Sequence, residues 1–233
     1  MELTYRDAYA ARGLSPEQID GLSALGNLLL NAAFNVTSIR EPADIERFHF
    51  LDSLSLLDLE PIQAACRLVD LGSGAGLPAL VLALTLPRLK VTALESLQKK
   101  CAFIEQAASV IRLENVQVCC SRAEEYGQGT GRGAHDVAVS RALAALPVVA
   151  EYSVPLLARG GTMVAMKGEI SNQERIQAQK ALDILGAGRL ESIRLEPFAG
   201  AENRWVHVAR KESPTPAAFP RRPGTPGRRP LGG

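Results

Sequence analysis

The residues with the clearest chemical potential are three glycines at alternate positions, Gly72, Gly74 and Gly76, which directly follow the apolar run 68–71. Glycine has no Cβ, so this turn can adopt positive φ and bring backbone N–H groups close to a ligand. The apolar run after the turn predicts a helix, whose N-terminus offers unpaired N–H groups and a positive dipole end. A strand, glycine turn and helix in this order predict a nucleotide-type ligand site on an α/β sheet.

The spacing of these glycines narrows the class of ligand. A dinucleotide site requires G-x-G-x-x-G, whose second glycine faces a pyrophosphate and whose third permits close helix packing. Here the pattern is G-x-G-x-G, and Leu77 stands where the third glycine of the dinucleotide pattern is expected. A cofactor with adenosine and an amino-acid tail but no pyrophosphate fits better, which favours S-adenosylmethionine. A glycine run alone can also be an ordinary connection between a strand and a helix.

Two acidic residues strengthen the prediction of a cofactor site. Glu95 follows the strand-like run 90–94, where a carboxylate can accept both ribose hydroxyls of an adenosine. The alternative is a solvated charge at the entry to a helix. Asp70 precedes the glycine turn and is a candidate either to tether it or to contact the ammonium end of the cofactor. Aspartate in such a position can also be only a turn former.

Length and composition predict one large domain with an appendage. The chain has 233 residues, of which 46% are hydrophobic, enough for a sizeable core. No apolar run reaches the length of a membrane helix, and the N-terminus has no apolar signal-peptide core. A cytoplasmic protein is therefore expected.

The four cysteines are expected to be buried and unpaired in a reducing compartment, because they lie in apolar runs and form no C-x-x-C pair. The three histidines are far apart in sequence, and no metal motif is present. The sequence therefore predicts neither a disulfide nor a metal site. The cysteines are Cys66, Cys101, Cys119 and Cys120, and the histidines are His49, His135 and His207.

The charge is distributed unevenly along the chain. The formal net charge is +1, but residues 203–233 hold seven basic residues and one acid, or +6, which leaves −5 for residues 1–202. Such asymmetry suggests that a basic end of the chain meets a polyanion.

The periodicity of the apolar residues divides the chain into three parts. Residues 1–60 read as helices that pack on a sheet, with a capping signal at Ser15. Residues 61–212 alternate strand and helix, which predicts a Rossmann-like α/β domain with a mostly parallel, seven-stranded sheet and an antiparallel edge. Residues 213–233 contain six prolines and four arginines without periodicity, and are expected to form an extended, mostly disordered basic tail.

Taken in order, these segments resemble the RsmG (GidB) family, bacterial methyltransferases that act on guanine N7 in 16S ribosomal RNA. The similarity covers almost the whole chain, and the order of its motifs makes it specific. Two positions depart from the family pattern: Phe48 stands where Arg or Lys is usual, and Glu95 where Asp is frequent. The matching segments are 35–40, 49–54, 69–78, 95–100, 121–125, 140–142, 167–168 and 219–226.

The resemblance implies a class I methyltransferase that uses S-adenosylmethionine and no metal. Arg141 is the candidate for positioning cofactor or nucleotide. Guanine N7 carries a lone pair and no proton, so direct in-line transfer needs alignment rather than a strong base. With the glycines of the turn, the implied cofactor-binding residues are Gly72, Gly74, Gly76, Leu77, Glu95, Ser96, Leu97, Ala123, Glu124 and Arg141.

The implied partner is 16S ribosomal RNA, within the small subunit or an assembly intermediate, and the enzyme is expected to be a monomer. Each basic residue can equally be ordinary solvated surface. Because N7 must be reachable, an unstacked or loop guanine is the expected target. The candidate RNA-binding residues are Arg40, His49, Lys99, Lys100, Arg122, Lys167, Arg204, Arg221 and Arg222.

Three other functions remain open at this point. A related methyltransferase could act on protein or on a small molecule. A nicotinamide-dependent oxidoreductase would share the role of Glu95, although Leu77 breaks its glycine pattern. A non-catalytic RNA-binding protein could keep the fold and the basic tail, and would bind RNA without methyl transfer.

Overall fold

The computed structural model describes all residues, 1–233, and is built around one seven-stranded sheet. Five parallel strands lie in the order β3-β2-β1-β4-β5, and β7 and β6 extend the sheet beyond β5. β7 runs antiparallel to both of its neighbours. This is the mostly parallel sheet with an antiparallel edge that the alternating pattern predicts. The strands are β1 (Arg67–Leu71), β2 (Lys90–Glu95), β3 (Val116–Cys120), β4 (His135–Arg141), β5 (Leu157–Lys167), β6 (Glu191–Arg194) and β7 (Trp205–Arg210).

Helices cover both faces of the sheet, because the strand order runs in one direction from β1 to β3 and in the other from β1 to β5, and right-handed crossovers then place their helices on opposite faces. A π-helix, Glu46–Leu51, and 3₁₀ turns at Ser55–Asp58 and Val154–Leu156 complete the helical segments. None of the helices is long and apolar enough to cross a membrane. The α-helices are α1 (Arg6–Ala11), α2 (Pro16–Leu30), α3 (Pro42–Ile45), α4 (Asp52–Leu54), α5 (Glu60–Ala64), α6 (Ala79–Thr85), α7 (Gln98–Val110), α8 (Ala123–Gln128), α9 (Leu146–Ser153), α10 (Asn172–Leu185) and α11 (Thr225–Arg228).

The N-terminal helices share one core with one face of the sheet. α2 begins with the predicted capping box, in which Ser15 and Gln18 each accept from the other's backbone N–H. Its buried leucines join the same apolar cluster as β1, β2 and α6. Glu46, fully buried, accepts hydrogen bonds from the backbone of Thr4 and Tyr5 and from the hydroxyl of Tyr9. The first residues of the chain are thereby fixed to the π-helix that leads into the site.

The C-terminal segment 213–233 differs from the expected disordered tail, because it packs along α8 and α9. Arg221 forms a forked ion pair with the fully buried carboxylate of Glu151, at 2.5–3.1 Å. The backbone N–H of Gly224 donates to Glu124 at 2.8 Å, and Pro220 is buried. Composition predicted disorder because it does not reveal that a buried acid 70 residues upstream pairs with one of the arginines.

The expectation of four buried, unpaired cysteines is also wrong. Cys101 and Cys120 form a disulfide with Cα atoms 5.9 Å apart, and Cys66 is exposed. The reason is the pairing of β2 with β3, which places Cys120 opposite Glu95, just before the helix that carries Cys101. Sequence spacing alone does not show this proximity.

Candidate active site

The order of the strands brings the predicted cofactor residues to one rim of the sheet. Glu95 ends β2, Gly72 follows β1, and Arg141 ends β4, and these three strands are neighbours. Parallel strands present their carboxyl ends at the same edge, where open α/β sheets bind ligands. With strands about 4.8 Å apart, the rim from β2 to β4 spans about 10 Å.

The glycine turn has the predicted positive φ, with 67° at Gly72, 61° at Gly74 and 79° at Gly76. The glycine pattern predicts that the N–H groups of the turn face a ligand, but most of them donate to other groups of the protein at the rim. Gly72 and Ser73 donate to the carbonyl of Leu94, and Gly76 donates to that of Ser73. A Cβ placed on Gly74 would meet nothing closer than 3.8 Å. Gly74 therefore offers an open, side-chain-free surface, whereas a Cβ on Gly72 or Gly76 would meet the side chain of Leu143 or Leu80 at 2.6 Å.

Glu95 is held in place by three backbone N–H groups. One carboxylate oxygen accepts from Gly74 at 3.0 Å, and the other accepts from Ser96 at 2.8 Å and from Leu97 at 2.9 Å. The residue is only 6% exposed. A carboxylate has about four lone-pair positions, and these N–H groups use three of them, so acceptor capacity remains for a ribose hydroxyl. These hydrogen bonds hold the carboxylate in one orientation, which prepares it to bind a ligand at the rim.

Asp70 tethers the helix that follows the turn. One carboxylate oxygen accepts from the backbone N–H of Ala79 in the first turn of α6, at 3.2 Å. The other oxygen is buried and has no partner. Burial raises the pKa of Asp70 to about 6 from its usual 3.8. An unpartnered acid oxygen beneath the glycine turn is a polar atom that a cationic ligand group would satisfy.

The raised pKa gives a testable pH dependence of stability. The folded state holds the Asp70 proton more tightly than the unfolded state, so the stabilisation from this group is complete below about pH 4 and is lost as the pH rises through about 6. We expect Asp70→Asn, without cofactor, to gain about 2 kcal/mol relative to wild type between pH 4.5 and pH 7. Urea unfolding of both proteins across this range measures the difference, and parallel pH curves would contradict the assignment.

The remaining predicted cofactor residues lie on the same rim with different side-chain environments. Ser96 and Leu97 are exposed between β2 and α7, and Leu77 is buried beneath the turn. Ala123 begins α8 at the end of β3. The carboxylate of Glu124, in contrast, points to Gly224 of the C-terminal segment. Only the backbone of Glu124 is left for a cofactor contact.

A cavity of about 450 Å³ opens beyond β4, on the side away from Glu95. Its size lies in the range of small-molecule sites. Its walls come from the π-helix, the ends of β4 and β5 and the start of β7, so it joins three distant parts of the sequence. The residues used below are Phe48, Asp52, Arg141, Ala142, Arg204 and Trp205, all of which line it.

The π-helix is tied to the rim by Arg141. Its guanidinium donates to the carbonyl of Phe48 at 3.0 Å and lies 3.3 Å from Nδ1 of His49. His49 Nε2 lies 2.8 Å from the hydroxyl of Thr37. Burial and the nearby Arg141 lower the pKa of His49 to about 4, so the ring is neutral at pH 7. π-Helices are frequent at functional sites, and this one carries a wall of the cavity.

Backbone strain is concentrated at the same cavity. Ala142 has φ of 48° and Asn203 has φ of 51°, values that L side chains seldom adopt. Both residues line the cavity, and Asn203 Oδ1 accepts from Glu169 N–H at 2.6 Å. Strained backbone persists where the surrounding structure enforces it, and it clusters at functional sites.

Sequence reasoning missed Asp52, Phe48 and Trp205 as parts of a binding cavity. In the sequence, Phe48 stands out only as a departure from the family pattern. Trp205 is the only tryptophan in the chain, and Asp52 lies within the matched segment 49–54. A lone tryptophan beside a basic residue was the one available signal. The contacts with Arg141 depend on the fold and are not visible in the spacing.

The structure separates the predicted RNA-binding residues into two groups. His49 is buried and neutral, and the guanidinium of Arg221 is taken by Glu151, so neither presents a free surface cation. Lys167 is half-buried, 3.4 Å from Glu174, and Arg204 lies over the ring of Phe48. The exposed or half-exposed cations near the rim are Arg40, Lys99, Lys100 and Arg122, and Arg222 is exposed on the C-terminal segment.

Comparison with known proteins identifies the family. The family model described as rRNA small subunit methyltransferase G matches residues 20–196. The chain belongs to that family. Proteins named ribosomal RNA small subunit methyltransferase G from Moorella thermoacetica and Deinococcus radiodurans are each 41% identical to it. The first alignment covers 94% of this chain and 92% of the relative, and the second covers 86% and 80%.

Solved structures agree on the fold of this methyltransferase G family member. An S-adenosylmethionine-dependent O-methyltransferase from Thermotoga maritima matches with a TM-score of 0.56 and 19% identity, over 82% of this chain and 72% of the other. The tRNA (m1A58) methyltransferase TrmI from Aquifex aeolicus matches with a TM-score of 0.54 and 17% identity, over 81% and 76%. The chain is an S-adenosylmethionine-dependent ribosomal RNA methyltransferase with the class I fold.

Proposed function

We propose that this methyltransferase transfers a methyl group from S-adenosylmethionine to N7 of one guanine in 16S ribosomal RNA. The observation that carries the proposal is the placement of the glycine turn and Glu95 on the same rim as a cavity large enough for a nucleobase, with Arg141 between them. The family membership supplies the reaction class. The substrate is the RNA within the small subunit or an assembly intermediate, and the enzyme acts as a cytoplasmic monomer.

The residues on the rim fit S-adenosylmethionine. The open face of Gly74 permits close approach of a ligand, and Glu95 is oriented to accept a hydrogen bond from a ribose hydroxyl. The buried, unpartnered oxygen of Asp70 suits the ammonium of the amino-acid tail. When bound, the cofactor supplies a methyl group on a positively charged sulfur. Ser96, Leu97, Ala123 and the backbone of Glu124 complete the proposed site.

The chain aligns the reactants and does not need a strong base. Guanine N7 has a lone pair and no proton to remove, so positioning is the main contribution to rate. Arg141 fits this positioning role because it links the end of β4 to the π-helix through Phe48. His49, kept neutral beside it, adds no competing positive charge to the site.

Three exposed arginines of the C-terminal segment are the best candidates there for RNA phosphates. Arg222, Arg228 and Arg229 are exposed, whereas Arg221 is occupied by Glu151. We expect replacement of all three by serine to reduce the slope of log affinity against log salt by about 2, since each contact with single-stranded RNA contributes about 0.7. Filter binding with small-subunit RNA measures the slope, and an unchanged slope would place the RNA elsewhere.

The direct test of the function is mass mapping of methylated guanines in small-subunit RNA from cells with and without the gene. One 7-methylguanosine is expected to disappear in the absence of the gene and to return with the wild-type enzyme. A methylated protein or small molecule in place of RNA would support the related methyltransferase instead. RNA binding without methyl transfer would support a non-catalytic role.

A further inference from the structure

The cavity beyond β4 contains a carboxylate, that of Asp52, which two arginines approach only at long range. The side chain of Asp52 is only 10% exposed. Its nearest cations are Arg141 Nη1 at 3.7 Å and Arg204 Nε at 3.5 Å, both beyond the usual 2.7–3.2 Å of an N–H···O bond. Both arginines pair with the carboxylate by charge, and its oxygens keep lone-pair positions that no N–H of the chain fills at hydrogen-bond distance. The site therefore has the character of an acceptor kept for a ligand.

The two arginines favour the ionised form of this carboxylate without occupying its oxygens. Burial raises the pKa of Asp52, and the charges of Arg141 and Arg204 oppose that effect. An ionised carboxylate is acceptor-only, with two oxygens side by side. Such a pair recognises two adjacent N–H donors, which is the arrangement that arginine offers to carboxylates in bidentate pairs.

Among the bases of RNA, only guanine presents two adjacent donors on its Watson–Crick edge, N1–H and the 2-amino group. Adenine and cytosine place a ring-nitrogen acceptor beside their amino group, and uracil places its single N–H between two carbonyls. Enzymes that act on extruded bases read this edge by hydrogen bonds and hold the ring by stacking. The cavity supplies aromatic walls from Phe48 and Trp205.

Building on the proposed function, we propose that Asp52 is the residue that selects guanine, by accepting hydrogen bonds from N1–H and the 2-amino group of the extruded base. N7 lies on the opposite edge of the purine, so this contact leaves the reacting atom free. Trp205 and Phe48, whose ring is itself covered by Arg204, are the aromatic walls of the cavity that receives the base. The strained backbone at Ala142 and the π-helix before Asp52 hold the walls in this arrangement.

The test removes one hydrogen-bond donor, the 2-amino group, from the RNA base and replaces the acceptor, Asp52, on the protein. Inosine lacks the 2-amino group of guanosine but keeps N7. RNA is prepared with guanosine or inosine at the methylated position, and assembled into small-subunit particles where the enzyme requires them. For wild type we expect kcat/KM to be 10- to 100-fold lower with inosine, in line with one lost hydrogen bond to a charged group.

For Asp52→Asn we expect kcat/KM with guanosine to fall at least tenfold and the guanosine-to-inosine ratio to narrow to below about 3. The amide places a donor against one of the two guanine donors, so the preference disappears. Asp58→Asn, a change at an exposed acid nearby, is the matched control and is expected to keep the wild-type ratio. A purely structural effect of the substitution would lower kcat/KM equally for the guanosine and inosine substrates and leave their ratio unchanged.

The outcomes separate this inference from the proposed function. If wild type methylates the guanosine RNA and Asp52→Asn retains the full wild-type ratio, the selection role is wrong while the enzymatic function stands. If wild type methylates neither the guanosine RNA nor the inosine RNA, the proposed function itself fails. Calorimetry with S-adenosylmethionine on Asp52→Asn is expected to give wild-type affinity, and a loss of cofactor binding would contradict a role confined to the base.

Discussion

Arg221→Met is expected to lower the free energy of unfolding by about 3–5 kcal/mol, since removal of one partner of a buried ion pair leaves the other charge uncompensated. Glu151 is fully buried, and its carboxylate accepts from the backbone N–H, Nε and Nη2 of Arg221. Methionine keeps much of the apolar stem and removes the charge. Urea unfolding followed by circular dichroism measures the loss.

Two further variants make the interpretation specific. Arg222→Met changes the adjacent, exposed arginine and is expected to stay within about 0.5 kcal/mol of wild type. The double variant Arg221→Met, Glu151→Gln removes both charges and is expected to recover a large part of the loss. A change below about 1 kcal/mol for Arg221→Met would show that the C-terminal segment contributes little to the stability of the domain.

The second large effect concerns the cofactor. Glu95→Gln is expected to weaken S-adenosylmethionine binding by about 10- to 100-fold, because it removes charge-assisted acceptance from a ribose hydroxyl, worth about 1.5–3 kcal/mol. The amide nitrogen must also face one of the N–H groups of Gly74, Ser96 or Leu97. Isothermal titration calorimetry measures the dissociation constant.

Controls distinguish a ribose contact from a disturbed turn. Glu105→Gln, on the exposed face of α7, is expected to bind the cofactor like wild type. S-Adenosylhomocysteine and adenosine are expected to lose affinity by the same factor in Glu95→Gln, since both carry the ribose. Retention of wild-type affinity for all three ligands would remove Glu95 from the site.

Much of the sheet and the position of the rim could be predicted from sequence, because both depend on local patterns. Apolar runs of strand length, separated by segments with helical periodicity, predict the strands β1 to β5 and indicate that these strands are parallel. The alternate glycines require positive φ, which the structure shows at all three. Glu95 lies at the end of β2, as its distance from the turn indicates.

The features that could not be predicted depend on long-range packing. The cavity combines residues near positions 50, 141 and 204, and no local pattern joins them. The use of the turn's N–H groups depends on the carbonyl of Leu94 on a neighbouring strand. The C-terminal segment looks disordered by composition, since the deciding contact is one ion pair across 70 residues.

The ion pair of Arg221 with Glu151 also sets an order of events during synthesis. Glu151 is translated 70 residues before its partner, which at about 5–20 residues per second is an interval of roughly 4–14 s. Throughout that interval Glu151, which is buried in the folded protein, has no positively charged partner. Final consolidation therefore waits until Arg221 has been synthesised, and products truncated upstream of Arg221 are expected to be less stable and more open to proteolysis.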